Sequence, residues 1–266
     1  MKVSMITAVY FSATYTTQGI VKQIAHEFGK PVVDYDITQS APDKEIVLGK
    51  DELLIVGMPV YSGRIPPQAA QAFTKIKGNG TPAIIICVYG NRDYDDALIE
   101  LRDITEKQGF SILAAAAFVA RHSIFPQIAT NRPDEWDCAY ISKFGETTKE
   151  LLEDLTGTDI LSSIKVKGNY PYKAIKRIPI HPKTNDQCNK CGKCARLCPT
   201  QAISAENPQK PNKKKCISCG RCTLICPQKA RNYGGWLYRF AGKKFIKKYS
   251  KPKAPECFFA EIKIIE

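Results

Sequence analysis

No stretch of this 266-residue chain approaches the ~20 consecutive apolar residues of a membrane-crossing helix, so a helical bilayer protein is not expected. The opening residues, MKVSMITAVY, lack the charged start, long apolar segment and small-residue cleavage site of a secretory leader; the expectation is an intracellular, cytoplasmic protein. There is no G-x-x-x-x-G-K-[ST] loop and no G-x-G-x-x-G turn, which removes the common nucleoside triphosphate and dinucleotide sites. No nucleic-acid fold or aromatic RNA-binding signature is present, so nucleic acid is not an expected partner. An acidic excess is missing too: Lys and Arg number 39 against 26 Asp and Glu, a formal charge of +13.

What the chain does have is cysteine in a repeated phrase. Cys188-x-x-Cys191-x-x-Cys194-x-x-x-Cys198-Pro199 recurs as Cys216-x-x-Cys219-x-x-Cys222-x-x-x-Cys226-Pro227, and the two copies hold eight of the eleven cysteines. Disulfides call for an oxidising compartment. Structural zinc usually takes two Cys pairs with a longer spacer, which leaves the third Cys of each run and the Cys-Pro unexplained. The full pattern suits two cubane iron–sulfur clusters, in which three thiolates from a tight loop hold one cluster and the fourth crosses to the other. Cys188, Cys191, Cys194 and Cys226 are the expected ligands of one 4Fe-4S cluster, and Cys216, Cys219, Cys222 and Cys198 of the second. Both copies share Cys-Gly-x-Cys (Gly192, Gly220), whose glycines permit positive φ and close approach. They also share Cys-Pro-x-x-Ala (Ala202, Ala230). Residues 183–232 resemble a bacterial-type two-cluster ferredoxin, which implies a small α+β domain.

Residues 1–160 alternate strand-like apolar runs (2–9, 31–35, 52–58, 82–89, 110–120) with helical ones (19–28, 67–76, 94–107, 134–155). The alternation predicts an α/β unit, a five-stranded parallel sheet with helices on both faces, whose ligands bind beyond the carboxyl ends of the strands. After the first strand, Ser12-Ala13-Thr14-Tyr15-Thr16-Thr17 offers hydroxyls and free amides at a helix start, which suits a phosphate. Simple capping by Thr16 or Thr17 answers the same unpaired N–H groups. After the third and fourth strands, Pro59-Val60-Tyr61-Ser62-Gly63 and Tyr89-Gly90-Asn91-Arg92-Asp93-Tyr94 set aromatics in polar, glycine-containing turns at the same sheet edge. Such turns suit a planar ring held between side chains.

This arrangement resembles the flavodoxin fold and so implies FMN. Carried over position by position, Ser12, Thr14 and Thr17, in a loop with Ala13, Tyr15 and Thr16, would bind the phosphate. Pro59, Val60, Tyr61, Ser62 and Gly63 would line one side of the ring, and Tyr89, Gly90, Asn91, Arg92 and Tyr94 the other. Tyr15 stands where the family carries glycine, and a bulky residue resists the left-handed conformation. Over residues 1–232 the chain is similar to the flavodoxin–ferredoxin fusion proteins of anaerobic bacteria and archaea; PVYSGRIP and VYGNRDYDDAL carry the likeness to those fusions. The resemblance implies an electron-transfer flavoprotein relaying electrons between FMN and two 4Fe-4S clusters and on to or from a redox partner. The alternatives are an FMN-dependent reductase of a quinone or nitro compound fed by the clusters, and an assembly component whose cofactors are mainly structural.

The expected layout is a flavodoxin-like domain (1–160), a basic linker (161–182) forming an extended tether, the ferredoxin-like domain (183–232) and a basic extension (233–266). Helical spacing over 237–248 predicts a helix that covers one of the two domains, with a membrane-surface role as the alternative. The basic excess, including Lys213-Lys214-Lys215 and Lys243-Lys244, points to an acidic redox protein as partner. His122, after the fifth strand, is a candidate proton relay or a loop-bonding residue. Cys87 and Cys138 read as small apolar residues, and Cys257 carries no assignment.

Overall fold

Runs of Ile, Val, Leu and Ala just long enough to cross a sheet, each followed by an amphipathic stretch, set the frame. The computed structural model describes residues 1–155 and 160–263; residues 156–159, and the end of the expected extension at 264–266, lie outside the described residues. In chain order the main elements are β1 (Met5–Tyr10), α1 (Thr16–Glu27), β2 (Val32–Asp36), β3 (Glu52–Pro59), α2 (Pro67–Phe73) and β4 (Thr81–Tyr89). Then come α3 (Ala97–Lys107), β5 (Phe110–Val119), α4 (Glu135–Asp154), α5 (Trp236–Tyr249) and β6 (Glu256–Phe259). The sheet runs β6-β5-β4-β3-β1-β2. Its five parallel strands follow the order 2-1-3-4-5, the flavodoxin-like variant of the doubly wound fold.

Strand residues alternate between two cores, as a sheet covered on both faces requires. Ile85, Cys87 and Tyr89 of β4 pack beneath α2 and α3 with Phe73, Leu98 and Leu101. Ile84, Ile86 and Val88 face α1 and α4 with Ile20, Ile24, Ile141 and Phe144. Asp134 and Asp137 form a reciprocal capping box that starts α4. Among the described residues no helix is long and apolar enough to cross a membrane.

The sixth strand goes beyond the sequence reading, which treated the chain's end as an extension with one helix. β6 pairs antiparallel with β5, Glu256 opposite Ala117 and Phe259 opposite Ala114, so the last segment returns to the first sheet. The expected helix is present as α5. Its Tyr238 and Phe245 lie 5.1 Å and 5.0 Å from Phe125 in the segment after β5, which seats the helix on the flavodoxin-like unit.

The linker is extended and strapped down. Tyr170 and Tyr172 donate to Asp103 of α3. The Lys173 amide donates to Asp96 Oδ2 (2.6 Å), and its carbonyl accepts from Arg64 Nη1 (2.8 Å). The cysteine segment is closed by a two-residue ladder in which Arg231 pairs with Thr184 and Asn232 with Lys183.

Candidate functional site

The second cysteine run begins 28 positions after the first, and the sequence repeat becomes a conformational one. Lys190 and Ser218 (φ 57° and 54°), Gly192 and Gly220 (72° and 82°), and Gln201 and Lys229 (50° and 49°) are matched left-handed positions. Each glycine opens a one-turn helix, Lys193–Arg196 or Arg221–Leu224. Each Cys-Pro-x-x-Ala closes on itself: the Ala202 amide donates to Cys198 Sγ and the Ala230 amide to Cys226 Sγ, both at 3.3 Å.

These turns enclose two cavities. Cys188, Cys191, Cys194 and Cys226 line one, and Cys198, Cys216, Cys219 and Cys222 line the other. The fourth cysteine of each run thus faces the other run's three. Among the described residues no carboxylate lines either space; the first is also bordered by Pro208, Pro227 and Ala230 with Lys190, Lys193 and Arg231, and the second by Ile203 and Ile217 with Arg221 and Arg231. Among the described residues no three His, Cys, Asp or Glu side chains converge on the position of a single ion. Four thiols spaced around a chamber fit a cubane, since Fe–S clusters are held by thiolates. Burial pushes the Cys219 thiol up to about 12 and raises those of Cys194 and Cys216, opposed in the last two by Arg231. Metal loading therefore releases protons that the thiols otherwise hold tightly.

At the sheet edge, Tyr15 takes the left-handed conformation (φ 65°) that its bulk disfavours, at a cost of ~1–2 kcal/mol. The turn leaves the amides of Ala13, Thr14, Thr16 and Thr17 without hydrogen-bond partners among the described residues. Ser12 Oγ accepts from the Gln18 amide (3.0 Å), and the Ser12 amide donates to Thr38 Oγ1 (2.7 Å). Free amides at the N-terminus of a 12-residue helix fit a phosphate. The side chain that accepts a first-turn amide is thus that of Ser12, and neither Thr16 nor Thr17 caps the helix.

In the second loop, Pro59 is buried, Val60 is half-buried and its amide donates to the Val88 carbonyl (2.9 Å). Tyr61 and Arg64 exchange backbone hydrogen bonds around Ser62 and Gly63, both at positive φ. Ser62 Oγ donates to the linker carbonyl of Lys176 (2.9 Å). Arg64 and Glu100, largely buried, form a bidentate pair at 2.7 and 2.6 Å that anchors the base of the loop. In the third loop Gly90 lies against His122, with no room for a side chain, and Tyr89 is buried with no partner for its hydroxyl among the described residues.

Two residues expected at the ring turn elsewhere. Asn91, 1% exposed, donates to the carbonyls of Tyr249 and Lys251 and accepts from the Lys253 amide. Tyr94, also 1% exposed, donates to Glu256 Oε2 (2.7 Å). Both side chains hold the returning C-terminal segment, whose arrival could not be anticipated from the loop itself. Arg92 pairs with Asp95 of its own loop. His122 Nδ1 accepts from the Ile124 and Phe125 amides, which leaves the loop-bonding role. Burial, with Arg92 nearby, lowers its pKa to about 4.

The two regions meet. Arg221, between Cys219 and Cys222, is 4% exposed; its Nη1 donates to the Ser12 carbonyl (3.1 Å) and its guanidinium lies 5.1 Å from the Tyr15 ring. A side chain on Gly220 would press on Ser123 at 3.3 Å. Cys219 belongs to the same apolar cluster as Phe11 and Ala13, against which Tyr61 packs. Sequence reasoning missed Arg221, because nothing in the cysteine run signals which surface it will face.

Residues 187–231 match the family model of the 4Fe-4S dicluster domain. No curated protein matches the chain. Among solved structures, an archaeal flavodoxin is similar at 12% identity, covering 56% of this chain and 99% of its own, with a TM-score of 0.39. A Fusobacterium nucleatum flavodoxin bound to flavin mononucleotide is similar at 16% identity, covering 57% and 99%, with a TM-score of 0.40. Rubredoxin oxygen:oxidoreductase from Desulfovibrio gigas is similar at 15% identity over 57% of this chain and 37% of its own, with a TM-score of 0.42. A flavodoxin-like sheet, given by its strand order, and a 4Fe-4S dicluster segment thus share one chain.

Proposed function

We propose that the protein is an electron-transfer flavoprotein that exchanges electrons between FMN and two 4Fe-4S clusters. The observation that carries the reading is the contact between the two sites, in which Cys219 packs in one apolar cluster with Phe11 and Ala13 beneath Tyr61. When bound, FMN takes one or two electrons and each cubane one, so their pairing joins two-electron to one-electron chemistry. The amides of Ala13, Thr14, Thr16 and Thr17 hold the phosphate, the turns around Tyr61 and Gly90 border the ring, and the eight cysteines of the two runs supply the thiolates. Cys219 itself is buried at this junction. With Nδ1 of His122 committed to two amides, the loops present no free imidazole base to a small substrate, which favours a relay over a substrate-specific reductase.

An acidic redox protein is the partner this reading calls for, drawn by the basic surface. Anaerobic purification with iron, sulfide and flavin analysis is expected to yield about eight irons and one FMN per chain. Reduction of the flavin should then reduce the clusters. A zinc-only protein, or clusters that stay oxidised beside a fully reduced flavin at matched potential, would refute the proposal.

A further inference from the structure

Arg231 breaks the internal repeat. Its equivalent 28 positions earlier is Ile203, an apolar side chain 6% exposed that lines the second cavity. In place of a second isoleucine the chain puts a guanidinium, 2% exposed, at the border of both cavities. Arginine stays charged at any pH the fold survives. Its Nη2 donates to the Pro208 carbonyl, and Nη1 is buried with no partner among the described residues. No carboxylate pairs with it among the described residues. A buried, unpaired cation is costly, and the thiols of both cages are what this one faces. An iron–sulfur cubane held by four thiolates is an anion that gains one more negative charge on reduction. Net charge and second-shell donors are the levers by which a protein tunes such a centre.

We propose that Arg231 is a charge shared by the two cages, which favours the reduced form of both clusters and raises their reduction potentials together. The inference rests on the iron–sulfur reading above. Because the side chain borders both chambers, its removal acts on both clusters, whereas a purely structural residue would alter loading and leave potentials in place.

The test is a potentiometric titration, followed by electron paramagnetic resonance, of the full-length holoprotein and of Arg231→Ile, Arg231→Gln and Arg231→Lys. Isoleucine copies the repeat mate; glutamine keeps polarity without charge; lysine keeps charge. The reduced-to-oxidised ratio of both clusters at a fixed solution potential is expected to fall about tenfold in the Ile and Gln variants, ~59 mV for a one-electron centre. The Lys variant should stay near the parent. Unmoved potentials in the uncharged variants, a shift confined to one cluster, or a Lys variant as low as Ile would each overturn the proposal. If the Ile variant fails to load, the Gln and Lys variants still separate a charge effect from a structural one. A parent protein without iron and sulfide would sink the cluster reading itself, while loaded clusters with unchanged potentials would sink this inference alone.

Discussion

Nη1 of Arg221 lies 3.1 Å from the carbonyl oxygen of Ser12, so a residue set between two cysteines of one module is bonded to the first turn of the other. The same guanidinium covers the ring of Tyr15, the residue strained into the left-handed region. One side chain thus ties the turn read as a phosphate loop to the second cysteine cage.

Arg221→Ala removes a buried charge-assisted hydrogen bond and the cover over Tyr15. The expected loss is ~1.5–3 kcal/mol of stability in urea unfolding of the cluster-loaded protein. Electron transfer between flavin and clusters should slow as the two surfaces separate. Unchanged unfolding and unchanged transfer would show that the contact holds nothing together.

The crossed cages make a specific statement about Cys226 and Cys198. Cys226→Ala should impair the cluster held by Cys188, Cys191 and Cys194, and Cys198→Ala the other, each leaving roughly half of the iron in place. Distinct magnetic resonance signals should disappear in the two variants. Loss of the same signal in both would reverse or void the pairing.

Gly57 in β3 lies against α1, the helix that follows the turn read as a phosphate loop. A methyl group there would come within 2.4 Å of Val21 Cγ2 and 2.9 Å of Thr17 Cγ2, both in α1. Gly57→Ala should cost ~1–3 kcal/mol through overpacking. Because α1 carries Thr16 and Thr17, FMN affinity should fall along with the urea midpoint, whereas Gly19→Ala, which meets nothing within 4 Å, should leave affinity unchanged.

His122 predicts acid sensitivity. Its folded pKa is depressed to about 4 from 6.5, by burial first and Arg92 second. Between those values the unfolded chain binds a proton that the folded chain does not. Stability is therefore full above pH 6.5, falls as pH drops toward 4 and levels below it, by a few kcal/mol at most for a shift of this size. His122→Gln should flatten the pH dependence of unfolding between 6.5 and 4; an equally steep profile would assign the acid sensitivity to other groups.

Much was legible because local chemistry forced it. Strand runs such as 82–89 can only be buried on both faces, and the cysteine spacing, with glycine where the turn reaches positive φ, leaves few other readings. The turn at Ser12–Thr17 was legible as a helix start rich in hydroxyls. Its left-handed Tyr15 was not, and the arginine that covers its ring comes from some 206 residues away. The hydrogen bonds of Asn91 and Tyr94 were hidden for a similar reason: their polar groups are satisfied by Tyr249, Lys251, Lys253 and Glu256, partners that only chain return supplies.

The sequence by itself determined the five parallel strands, the two cysteine runs with their crossed fourth members, and the loops at the carboxyl edge, because periodicity and ligand spacing act over a few residues. Only the tertiary structure decided that Glu256–Phe259 would complete the sheet, that Arg221 would reach Ser12, and that Arg231 would stand between both cages. Those outcomes depend on which distant surfaces meet and which buried charges must find a counterpart, and no local pattern encodes that.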